Sequence, residues 1–182
     1  MTFLLVVVMA LLAWGIILYN RLVRDRNRVA TAWSDIDVQL KRRHDLIPKL
    51  VAAVEQYARY ERSTLQTIVE IRAEARDTGD VGARGELEKL LGQRLHRLIA
   101  LAEDYPDLKA DQSFLQLQND LTDTENHIQY ARRFYNGAVR NLNTRIDSFP
   151  DLLLARLFRF RQQSYFELDS PVEADPPEGF NQ

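Results

Sequence analysis

From Phe3 to Tyr19 the chain carries no charged side chain: Phe-Leu-Leu-Val-Val-Val-Met-Ala-Leu-Leu-Ala-Trp-Gly-Ile-Ile-Leu-Tyr. As a helix this stretch covers roughly 26 Å, close to the thickness of a bilayer's hydrocarbon core. Trp14 and Tyr19 stand where an interfacial aromatic belt uses such rings. The stretch therefore predicts a transmembrane anchor over residues 1–20, seated in lipid through Phe3, Leu4, Leu5 and the residues that follow. A cleaved signal peptide or a buried helix of a soluble domain are the alternatives. Signal peptides open on basic residues and end at a small-residue cleavage site. Here no Lys or Arg comes first, and Tyr19-Asn20-Arg21 is a poor cleavage context. Arg21, Arg24, Arg26 and Arg28 follow the stretch, against only the α-amino group before it. The positive-inside tendency then sets a single-pass topology, N-terminus out and the remainder in the cytoplasm.

Beyond the anchor the apolar spacing is helical. One stripe runs Leu22, Val29, Trp33, Ile36, Leu40, Ile47, Leu50, Val54, Tyr57, Leu65 and Ile68. It predicts a helix of about 57 residues ending near Arg76, with Gly79 available for a left-handed cap. Pro48 is the uncertain joint. Asp45 is able to cap a new helix with Pro48 in its first turn. The absence of a glycine or turn residue favours one kinked helix instead. A second helix reads from Gly85 to Tyr105 with Leu87, Leu91, Leu98 and Leu101 on one side, and Pro106 ends it. Asp111 or Ser113 caps a third, carrying Phe114, Leu117, Leu121, Ile128, Ala131, Tyr135, Ala138, Leu142 and Phe149 and running to Ser148-Phe149-Pro150. The fold class is all-α: an elongated antiparallel bundle of three to four long helices over residues 21–166, preceded by one transmembrane helix. Long seams of this kind also allow self-association as a coiled coil or homo-oligomer.

Residues 151–166 mix Leu152, Leu153, Leu154, Leu157, Phe158 and Phe160 with Arg156, Arg159 and Arg161. Either the segment closes the open end of the bundle, or it lies as a basic amphipathic surface on a membrane. Residues 167–182, acidic and containing Pro171, Pro176 and Pro177, read as a disordered tail.

The chain has no cysteine, which excludes disulfides, thiolate nucleophiles and cysteine zinc sites. A net charge of −2 argues against a nucleic-acid coat. No phosphate loop, nucleophile elbow or paired Glu-x-x-His motif occurs, and His44, His96 and His127 are scattered. No enzyme, metal site or cofactor is therefore expected. The Lys41-Arg42-Arg43-His44 run offers anion binding, but Asp35, Asp37 and Asp45 are near enough to neutralise it. Arg26, Arg43, Glu61, Arg94, Thr124 and Arg145 fall where the stripe expects apolar residues. Unpaired burial there costs several kcal/mol. These positions either face solvent or form an internal ion-pair network or partner surface, with Arg43, His44, Asp45 and Glu61 the residues of interest.

Several ordered blocks resemble the LemA family. They are Arg26-Asn27-Arg28-Val29, Ala32 to Val38, Arg43-His44-Asp45-Leu46-Ile47-Pro48, and Leu50-Val51. They continue through Tyr105 to Ala110, Phe114, Leu117-Gln118, Leu121, Glu125, Ile128, Arg132, Tyr135-Asn136, Val139 and Asn143, then Phe149-Pro150 and Tyr165-Phe166-Glu167. Where the family often has glycine between two phenylalanines, this chain has Arg159. The resemblance implies a bacterial membrane protein with one N-terminal anchor and an elongated helical bundle, and carries no catalytic residues over. The expected function is a membrane-anchored scaffold or adaptor for unidentified protein partners, with lipid met through the N-terminal helix. The alternative is a peripheral lipid- or envelope-associated module working through residues 151–166.

Overall fold

The computed structural model describes residues 1–57 and 62–166, for Glu103 the backbone only. Glu61 and the tail expected to be disordered lie outside the described residues. Every element among the described residues is helical: α1 (Thr2–Tyr57), α2 (Arg62–Asp77), α3 (Val81–Leu101), a 3-10 turn (Ala102–Asp104), α4 (Pro106–Ala110), α5 (Gln112–Asp147) and α6 (Asp151–Leu157).

The frame is a pair of long antiparallel helices, α1 and α5. Three cross-pairs step down them together: Tyr57 with Asp111, Arg43 with Glu125, and Asp25 with Arg145. Asp111 starts α5 by accepting from the backbone N–H of Ser113 at 2.7 Å and of Phe114 at 3.3 Å. Those bonds hold its carboxyl below the usual carboxylate range.

α1 is continuous through Pro48, as one kinked helix requires, and is described as far as Tyr57. The expected helix to Arg76 is corrected to two antiparallel helices. Arg72 of α2 donates to the carbonyl of His44 at 2.8 Å. Had the helix run on unbroken, those residues would lie about 42 Å apart. The next break also differs from expectation: no described glycine has positive φ, so Gly79 forms no left-handed cap. Asp80 starts α3 instead, accepting from Ala83 N–H at 2.8 Å. The helix expected over 85–105 thus begins and ends earlier, at Val81 and Leu101, and the separate short α4 follows it.

Two apolar cores result. At one end the α2–α3 hairpin buries Leu65, Ile68, Leu91 and Leu98 against Ile47, Leu50 and Val54 of α1 and Phe114 of α5. At the other, Leu22, Val29, Ile36 and Leu40 of α1 pack on Ile128, Tyr135, Val139 and Leu142 of α5, closed by Ala155 of α6 and Phe166. α1 then projects past this second core. From Met1 to Ile17 all side chains are exposed except at the half-covered Gly15.

Candidate functional site

A buried polar layer separates the two cores. Arg43 and His44 follow Leu40 on α1, Glu88 precedes Leu91 on α3, and Thr124 and Glu125 lie between Leu121 and Ile128 on α5. Arg43 is 2% exposed and Glu88 fully buried. The Arg43 guanidinium donates to both the carboxylate and the carbonyl of Glu88, and to Glu125 Oε2 at 2.9 Å. His44 Nε2 lies 2.8 Å from Glu88 Oε1. Burial pushes the Glu88 carboxyl up. The His44 hydrogen bond and the Arg43 charge outweigh it and hold Glu88 below the ordinary value of 4.5. The layer ties α1, α3 and α5 into one register. Sliding α3 by a turn would leave a carboxylate among leucines, at a cost of several kcal/mol.

Adjacent Arg42 points to solvent, as does Asp45, which is not part of the layer. The expected grouping Arg43-His44-Asp45 is thus split by the helix rotation of about 100° per residue. Of the other polar residues on the stripe, Thr124 is buried and donates to the Asp120 carbonyl at 2.7 Å. Arg145 pairs with Asp25 and faces Asp151 at 3.7 Å, Arg94 is half-buried, and Arg26 is exposed over the Phe160 ring. The sequence does carry a signal for Glu88. This residue precedes Leu91, Leu95 and Leu98 in phase, whereas Leu87, expected on that face, is only half-buried. A cavity of about 250 Å³ opens beside Arg43 and Glu125, lined also by Gly92, Leu95, His96 and Leu121. Among the described residues no group of three or more His, Asp or Glu is placed to hold a metal ion.

Pro48 is tolerated for a reason that involves the same region. Proline lacks an N–H, so the carbonyl four residues earlier, that of His44, loses its helical partner. Arg72 Nε supplies the missing donor.

Residues 163–166 are held by a second device. Asn143 donates to the carbonyl of Gln163 at 3.0 Å and accepts from its N–H at 2.9 Å. Two turns earlier Asn136 does the same for Phe166, at 3.1 and 3.0 Å. Tyr135 Oη donates to the Ser164 carbonyl at 2.9 Å. Phe166 packs edge-on against Trp33, ring centroids 5.5 Å apart. Sequence periodicity missed this latch, because a non-helical segment clipped by side-chain amides has no helical phase.

Arg21, Arg24, Arg26 and Arg28 are exposed just beyond the bare part of α1. α6 and its turn sit at the same level: Tyr19 contacts Phe158 and Phe160, ring centroids 4.7 and 6.0 Å away. Asp151 and Ala155 face the bundle, while Arg156, Arg159 and Arg161 are exposed. Arg159 has φ 56° at the end of α6, the left-handed position that glycine fills without strain.

The sequence profile of the LemA family matches residues 32–178. This chain belongs to the LemA family. Protein LemA of Metamycoplasma hominis is 28% identical over 135 residues, covering 71% of this chain and 60% of that protein. Magnetosome protein MamQ 2 of Paramagnetospirillum magneticum is 25% identical, covering 88% of this chain and 68% of its own length. MamQ of Magnetospirillum gryphiswaldense is 25% identical over 81% of this chain and 64% of its own length. The LemA match begins after the apolar start of α1, so it rests on the bundle. Of the residues that carry the LemA resemblance, Arg43, His44 and Glu125 build the polar layer, and Tyr135, Asn136, Asn143 and Phe166 build the latch. The family and the long apolar helix are compatible with a membrane-associated protein.

Proposed function

We propose that this LemA-family chain is a membrane-tethered scaffold without a reaction of its own, presenting its bundle to partner proteins at the cytoplasmic face. The observation that carries the proposal is mechanical. α1 is one helix from a bare apolar end into both cores, so inserting that end in a bilayer fixes the bundle to it as a rigid arm. The buried titratable groups support it too, since Arg43 and His44 of α1 both pair with Glu88 of α3 and so hold helices together. The outward faces are then the working surface. Val38 of α1 and Tyr130 and Phe134 of α5 are exposed, and Val38 and Phe134 line one shallow groove. Exposed aromatics bury large area on contact and are favoured interface anchors. Relatives named for the magnetosome in one case and simply LemA in another suit a common scaffold with different partners better than one shared reaction.

A photo-crosslinking side chain at Phe134, in the full chain in native membranes, tests the scaffold reading. The expected result is a small set of discrete protein adducts, other proteins or a second copy, absent when the probe sits at Gln116. Lipid adducts alone, or none, would count against it.

A further inference from the structure

We infer that the turn region Phe149–Arg161 is a membrane-contacting foot that lays an apolar ridge and three arginines on anionic lipid headgroups. The inference rests on the reading of residues 2–19 as a membrane-inserted helix. α6 uses one face to close the bundle, with Ala155 1% exposed and Asp151 8%. Closure alone leaves the other face unexplained: Phe149 is 78% exposed, Leu153 60%, Leu157 71% and Phe158 53%. Four large apolar side chains in ten residues are a poor surface for water, and they are clustered rather than scattered.

Their position names the occupant. Residues 2–19 span roughly 27 Å as a helix, so a bilayer that takes this end up has its headgroup boundary near Tyr19. The Tyr19 ring touches Phe158 at 4.7 Å and Phe160 at 6.0 Å, which brings the foot to that same boundary. A partner protein seated on Leu157 would have to share this level with lipid. The charge agrees. Arg156, Arg159 and Arg161 are exposed in the foot, and Arg21 and Arg24 are exposed on α1 just past Tyr19. Two nearby acids are engaged within the fold, Asp151 facing Arg145 and Asp147 accepting from Gln162. Apolar groups flanked by arginine at headgroup depth are the combination that binds anionic bilayers.

The chain has no native cysteine, so single nitroxide labels can be placed in the full-length protein. Labels at Leu153, Leu157, Leu11 and Gln116 are compared in vesicles of phosphatidylethanolamine and phosphatidylglycerol, by collision with oxygen and with a water-soluble nickel chelate. Leu11 should read as lipid, Gln116 as water, and the two foot positions as headgroup depth, with nickel access roughly five-fold below that at Gln116. Arg156→Glu with Arg161→Glu should raise nickel access at Leu157 about three-fold and leave Leu11 unchanged. Nickel access at Leu157 equal to that at Gln116, with Leu11 in lipid, overturns the foot alone. Shielding of Leu157 from both probes overturns lipid as the occupant in favour of protein. Nickel access at Leu11 overturns the insertion reading and the foot with it.

Discussion

Glu88 decides whether the polar layer holds. A fully buried carboxylate is tolerable here because Arg43 and His44 both face it, and removing one member of a buried pair costs about 3–5 kcal/mol. Glu88→Gln in the full chain in detergent should lose a large part of that, read as a lower urea midpoint. The sign of the pH dependence follows from the depressed carboxyl. Its stabilisation is present above the unfolded value of 4.5 and is lost as pH falls through the still lower folded value. The gap between wild type and Glu88→Gln should therefore narrow in acid; a gap constant from pH 7 to pH 3 would show that Glu88 is not the titrating group. Half of this layer is legible in sequence. Arg43 stands out because it interrupts an apolar stripe at Leu40 and Ile47, but Glu88 is masked by Leu87, which supplies an equally good stripe one residue earlier.

At the scale of elements, Pro48 and Arg72 act as a unit. Arg72→Met keeps the stem and removes the donor to the His44 carbonyl, an expected loss of about 1.5–3 kcal/mol for a charged donor. With Pro48→Ala the backbone N–H returns and satisfies that carbonyl, so the same Arg72→Met change should then cost little. A double-mutant cycle checks this, and additive effects would refute the coupling. At the end of α6, Arg159→Gly relieves a left-handed residue and should stabilise the fold by about 1 kcal/mol, measured by thermal melting; a lower melting temperature would mean that the Arg159 side chain contributes more than its backbone strain removes. The existence of the long helices was readable from their period. The reversal after Tyr57 was not. Leu65 and Ile68 keep the phase of Leu50 and Val54, and a stripe that folds back on itself looks the same as one that runs on.

For the whole molecule, two long helices carry the architecture, with the α2–α3 hairpin capping one end and α6 with the Phe166 latch capping the other. The all-α class and the apolar anchor candidate were plain in the sequence, because a charge-free stretch and a 3.6-residue period are signals that need no tertiary context. The latch needs α1, α5 and the C-terminal residues together, so no local pattern announces it. The central proposal is that residues 2–19 cross a membrane and hold the bundle on its cytoplasmic side. Single cysteines at Thr2 and at Gln116, treated with an impermeant maleimide on intact cells and after permeabilisation, test it most directly. With this topology Thr2 should react from outside and Gln116 only after permeabilisation. Labelling of Gln116 on intact cells, or of neither position until the membrane is opened, would contradict it.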